Sequence, residues 1–340
     1  MPKPLPTCPA PHVDRVYKTA HGVDIPLRIW PAPEPTGPWL LWFHGGGFVG
    51  GKHAIPNPWV VPALHGRGYT VVSAAYRFIP QASFHDILAD VADAFAWCRA
   101  HLGEVVPVNI EAYAVGGDSA GGALAALSPH VLAPPPRAVL NLYGLVDATD
   151  PHFHRVSGRK ATSGEFTPAE ISAAIADRDA ANAAVIQPWE WEMEPALPLG
   201  ELRRFWGMPE FIVTRAHRLR ADVSAVIQSE GTLVDTLVRR DTLTAEGYAA
   251  ALAEASAGLR VGKGYPPTFF LHGERDEVVP PEQSRRMAAR LREAGVPVGE
   301  VYDPEGGHCF DVEIESEEDA GWDVYVRPAL AFIAAHVEAR

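Results

Sequence analysis

Cysteine is scarce in this chain of 340 residues: Cys8, Cys98 and Cys309 show neither metal-cluster nor disulfide-framework spacing. Basic residues are also short, 29 against 42 acidic ones, which gives a net charge of −13. Nucleic acid and anionic membrane surfaces repel such a chain, so neither is expected as a partner. The opening stretch, MPKPLPTCPAPH, lacks the apolar core of a secretory signal, and no apolar run approaches membrane-spanning length. A cytoplasmic, soluble protein without structural disulfides is expected. Internal repeats and low-complexity segments are absent too. What is plentiful is proline and glycine, 32 and 30 residues, which means many loops. Apolar content of 47% and charged content of 21% belong to an ordinary globular protein, large enough for one α/β domain with an insertion.

Along the chain, 13–18 and 23–30 alternate as strands around His21-Gly22. The continuous apolar runs 39–43 (WLLWF) and 70–76 (TVVSAAY) predict strands covered on both faces. Between and after them, 56–66 reads as a helix. Phe84, Ile87, Leu88, Val91, Phe95, Cys98 and Leu102 follow the spacing of one amphipathic face. Strands follow at 111–115 and 138–143, with a helix starting at Ala120. The rhythm then breaks. Residues 147–265 offer only helical patterns, near 168–187, 217–228 and 242–258, with Trp189, Trp191, Phe205 and Trp206 among them. It resumes with strands at 267–271 and 298–302, a helix at 281–294 and a closing helix near 322–338. This predicts an α/β fold with a mostly parallel central sheet and helices on both faces. Its core comprises 1–146 and 266–340, and 147–265 forms a helical cap; the arm 2–11 is expected to be extended and weakly ordered.

Between strand 111–115 and the helix at 120, Gly117-Asp118-Ser119-Ala120-Gly121 reads G-x-S-x-G. A sharp strand-to-helix turn strains the serine backbone, lifts its hydroxyl above the sheet and demands small neighbours two residues away on either side. A serine hydroxyl attacks only when a base takes its proton and a third group holds that base in the right tautomer. Asp276, after the strand at 267–271, and His308, after the last strand, fall on the same sheet rim in the required order. Glu274, Glu277 and Asp303 are alternative carboxylates, His272 is the alternative base, and Ser119 could serve only as a turn residue. The oxyanion needs preorganised donors: Ala120 N–H at the helix start, and Gly46 and Gly47 in the run His44-Gly45-Gly46-Gly47-Phe48, where only glycine lets the backbone approach so closely. His44 is expected to hold that loop by hydrogen bonds, Asp118 to accept hydrogen bonds beneath the turn, and Cys309 to pack.

Taken together, HGGGF at 44–48, Tyr76-Arg77, GDSAGG at 117–122, Asp276 and His308 resemble the hormone-sensitive-lipase-like (family IV) esterases of the α/β-hydrolase fold. The resemblance covers about 38–132 and 266–338. It implies carboxylic ester hydrolysis of a small-molecule substrate through an acyl-enzyme, with no cofactor and no metal. It further implies Ser119 as nucleophile, His308 as base and then acid, Asp276 as its orienter, and Gly46, Gly47 and Ala120 as oxyanion hole, supported by His44, Gly45, Gly117, Asp118 and Gly121. Two departures stand out: Phe78-Ile79-Pro80-Gln81 replaces the family's Leu-Ala-Pro-Glu, and the aspartate loop lacks Asp-Pro. A lactonase or amidase acting on a bulky natural product is the alternative within this chemistry. The remote alternative is a non-catalytic receptor such as the plant gibberellin receptors, which resemble the family but lack the histidine. A homodimer is one allowed oligomeric state.

Overall fold

The structure, a computed structural model, describes residues 5–33, 36–158, 162–188 and 197–338. Eight strands form one sheet in the order β1-β2-β4-β3-β5-β6-β7-β8. The hairpin β1 (Val13–Ala20) and β2 (Val23–Trp30) turns on His21 and Gly22, both at positive φ, as a two-residue hairpin turn requires. β2 joins β4 (Thr70–Ala74) antiparallel. From β4 the sheet is parallel through β3 (Trp39–Phe43), β5 (Tyr113–Asp118), β6 (Ala138–Leu142), β7 (Thr268–Gly273) and β8 (Val298–Asp303).

Side-chain alternation along β3 divides the interior into two layers. Trp39, Leu41 and Phe43 pack in the layer of α2 (Phe84–Val105) and α3 (Ala120–Leu127). Leu40 and Trp42 pack on the other face, with α1 (Val60–His65) and the C-terminal helix. Burial on both faces is why the strand reads as an unbroken apolar run. α2 starts where its pattern begins because Ser83 and Asp86 form a reciprocal capping box.

Between β6 and β7 the described residues add no strand to the sheet. They form α4 (Pro168–Ala176), α5 (Leu199–Trp206), α6 (Arg215–Ser229), α7 (Leu233–Leu237), α8 (Ala245–Glu254) and α9 (Ala257–Arg260). The single helix expected over 168–187 ends at Ala176, because the Asp177 and Asp179 carboxylates accept the N–H groups of Asp179 and Ala181 and favour turns. The pattern at 242–258 breaks near Ser256, whose hydroxyl is buried and ties Leu252 O to Ala148 N–H. α5 and α7 are short and were not expected. Trp189 and Trp191 lie outside the described residues, whereas Phe205 and Trp206 pack with Ala54, Ile55 and Leu202.

After β7 come α10 (Glu282–Glu293) and β8, and then a π turn at Trp322–Val326 that leads into α11 (Arg327–Val337). Pro328, which has no N–H to donate, sits in the first turn of α11. The arm is not loose from Cys8 onward. Cys8 is buried, Trp30 Nε1 donates to Pro9 O at 3.0 Å, and Arg28 reaches Cys8 Sγ.

Candidate active site

The rim formed by the carboxyl ends of β3, β5, β7 and β8 carries the site. Ser119 links β5 to α3 with φ 51° and ψ −118°, a strained conformation for a residue with a side chain. The glycines around it are required by contact. A Cβ on Gly117 would lie 2.3 Å from Gly121 O, and one on Gly121 would lie 1.9 Å from Phe43 O. The glycine loop presses on the same turn: a Cβ on Gly45 would stand 2.3 Å from Asp118 Oδ2 and 3.2 Å from Ser119 Cβ. Gly46 and Gly47 both have positive φ, and Gly46 O accepts the N–H groups of Val49 and Gly50, which folds the loop back on itself. Ala120 is the first residue of α3, so its N–H has no acceptor within the helix.

The structure brings Ser119, His308 and Asp276 together. His308 Nε2 lies 2.9 Å from Ser119 Oγ, and His308 Nδ1 lies 2.7 Å from Asp276 Oδ2. Asp276 Oδ1 accepts the N–H groups of Val278 and Val279, each at 2.9 Å. The other candidates are occupied elsewhere. Glu274 pairs with Arg285, Asp303 caps the turn at Glu305 and Gly306, and Glu277 is exposed. Both ring nitrogens of His272 are engaged, Nδ1 by Ser284 Oγ and Nε2 by Val279 O.

Burial opposes charge on both members of the His–Asp pair, but the local partners prevail. At Asp276 the hydrogen bonds from His272 and His308 outweigh burial and hold the carboxyl well below the usual range. At His308 burial is overcome by the Cys309 sulfur and the Asp276 carboxylate, so the imidazole titrates above its ordinary value. His44, by contrast, is buried without a countercharge and falls to about 3, so it stays neutral. It stacks on Tyr76 at 4.5 Å, with Nδ1 2.7 Å from Gly45 O, which makes it a support for the loop. Asp118 is raised to about 7 by burial and by the nearby Asp311, against a hydrogen bond from the Gly45 backbone.

Sequence reasoning missed a buried network behind His308. Asp311, fully enclosed, accepts from Asn57, Trp59 and Tyr143 at 2.7–2.8 Å. The Tyr143 ring, on a residue with φ 40°, meets the His308 imidazole edge-on at 5.0 Å. Asp311 stands three residues after His308, a cue that was available; Asn57 and Trp59 carry none. Gln81, where the resemblance predicts glutamate, donates to Asp177 at 3.1 Å and accepts from Arg220 at 2.8 Å, bridging the two charges with a neutral amide. A cavity of about 270 Å³ beside Arg220, His217 and Gln187 is not lined by Ser119, Asp276 or His308. Among the described residues no cluster of His, Cys, Asp or Glu could hold a metal ion, and no helix is long and apolar enough to cross a membrane.

This fold and this rim define an α/β hydrolase. The family model described as alpha/beta hydrolase fold matches residues 40–219, and that of the prolyl oligopeptidase family matches 240–338. The chain belongs to the α/β-hydrolase-fold family and, within it, to the hormone-sensitive-lipase-like esterase group. It is 28% identical to the non-reducing polyketide synthase ascC of Acremonium egyptiacum over 95% of this chain and 15% of that protein. It is 27% identical to the esterase LipC of Mycobacterium tuberculosis over 84% of this chain and 57% of that one. The chain thus spans about a seventh of the polyketide synthase and under two thirds of LipC. The thermophilic esterase Est2 of Thermogutta terrifontis shares the fold at a TM-score of 0.57 and 20% identity, over 95% of this chain and 91% of that one.

Proposed function

We propose that the chain is a serine carboxylesterase that works through an acyl-enzyme. The observation that carries this is the unbroken line Ser119 Oγ–His308–Asp276, with contacts of 2.9 and 2.7 Å, on the strained turn of an α/β hydrolase. Ser119 attacks the acyl carbon while His308 Nε2 takes the hydroxyl proton, and Asp276 fixes the Nδ1–H tautomer and stabilises the imidazolium. The tetrahedral oxyanion is received by the N–H groups of Ala120, Gly46 and Gly47. His308 then protonates the leaving alcohol, and water repeats the sequence to release the acid. The helical segment 147–265 acts as a cap over this rim. Ser119→Ala should keep the fold and abolish hydrolysis of p-nitrophenyl esters, and wild-type turnover in that variant would refute the assignment.

A second reading narrows the substrate. Similarity to polyketide synthases runs over 95% of this chain, which favours a bulky natural-product ester or lactone over a short acyl ester. A panel of acyl chain lengths and lactones tests it, and activity confined to two- to six-carbon acyl esters counts against it.

A further inference from the structure

Asp276 is held by a second histidine that the proposed chemistry does not use. His272, at the end of β7, is fully buried, and its Nε2 lies 2.8 Å from Val279 O and 3.3 Å from Asp276 Oδ2. A carbonyl oxygen can only accept, so Nε2 carries the proton and shares it between that carbonyl and the carboxylate. Nδ1 is then the acceptor, facing the Ser284 hydroxyl of α10 at 2.8 Å. Oδ2 of Asp276 therefore receives two imidazole N–H groups, one from each histidine, while Oδ1 receives two backbone N–H groups.

We propose that His272 is a positioning residue that fixes the Asp276 carboxylate toward His308 and withdraws part of its charge, so that the base is not overstabilised as imidazolium. This rests on the serine-esterase reading. The hydrogen-bonded line is longer than three residues: Ser284, His272, Asp276, His308 and Ser119. The Tyr143 ring stands edge-on to both imidazoles, 6.3 Å from His272 and 5.0 Å from His308. The titratable groups facing this line are few. Asp276 faces His272 from the loop after β7, and Asp311 lies behind Tyr143. Cys309 and Asp118 act on His308.

Without the His272 donor the carboxylate concentrates its charge on its remaining imidazole partner, which raises the affinity of His308 for a proton. The test compares His272→Met, which has no donor, with His272→Gln, whose amide keeps one. The readout is the pH dependence of kcat/KM for p-nitrophenyl butyrate. His272→Met should lower kcat about tenfold, as expected for losing a shared hydrogen bond to a charged group. It should also move the acid limb of the profile upward by about 0.5–1 unit, with His272→Gln staying near wild type. If His272→Met does not fold, Ser284→Ala, which frees Nδ1, should move the limb the same way by less.

Methionine and glutamine variants that match each other and the wild type in limb and kcat overturn the proposal, as does an unmoved limb in Ser284→Ala. Equal losses in both variants with an unmoved limb mean a packing role and overturn it too. Labelling with a fluorophosphonate separates the two levels: an unlabelled wild type overturns the esterase reading and this one with it. A labelled wild type with an unmoved limb overturns this one alone.

Discussion

At the residue scale, the proposed base His308 is useful only when neutral. The Cys309 sulfur and the Asp276 carboxylate outweigh burial and raise its titration above the ordinary value near 6.5. Its neutral fraction therefore grows as pH rises through that raised value, so kcat/KM should climb with pH and reach half its maximum above pH 6.5. A profile measured from pH 5 to 10 checks this, and a limb below 6.5 contradicts it. Asp276→Asn removes the charge and presents an amide to Nδ1, which favours the wrong tautomer. A loss of roughly 10⁴ in kcat is expected. A loss under tenfold would point to another carboxylate.

At the scale of elements, the site depends on how closely α3 and the glycine loop approach the end of β3. Gly121 sits in the first turn of α3 with its Cα against Phe43 O, where a methyl group would arrive at 1.9 Å. Both partners are backbone, so neither can give way by changing rotamer. Gly121→Ala should therefore cost about 3 kcal/mol or more, beyond the usual overpacking penalty. Thermal or urea unfolding measures it, and an unchanged midpoint would mean that α3 shifts freely.

For the whole molecule, Arg28 holds together parts of the chain far apart in sequence. Its buried guanidinium pairs with Asp14 at 2.7 Å and donates to Ala54 O, Trp206 O and Gly207 O. The arm, the segment after the glycine loop and the end of α5 thus meet on one side chain. Arg28→Met leaves three buried or half-buried carbonyls without their donor and should cost roughly 3 kcal/mol. Limited proteolysis should then cut first in residues 5–12 or near 207. Proteolysis and unfolding indistinguishable from wild type would show that the arm is held by other contacts.

The sequence by itself determined the layered α/β fold, the strand-to-helix serine turn and the order of serine, carboxylate and histidine, because these are written in local patterns. Unbroken apolar runs mark doubly covered strands, and small residues mark turns where backbone meets backbone. The boundaries within 147–265 were not legible, since capping by Asp177 and Asp179 competes with helix propensity at energies too close to read from the chain. Only the tertiary structure distinguishes the surroundings of His272, near the end of β7, from those of His308, in the loop after β8. His272 and His308 have the same chemistry, and what separates them is which ring finds both nitrogens engaged by Ser284 and Val279 and which faces Ser119. The same holds for Asn57, Trp59, Tyr143 and Asp311, polar side chains from three separate stretches that must find one another on folding because, once enclosed, each would otherwise lose its hydrogen bonds to water.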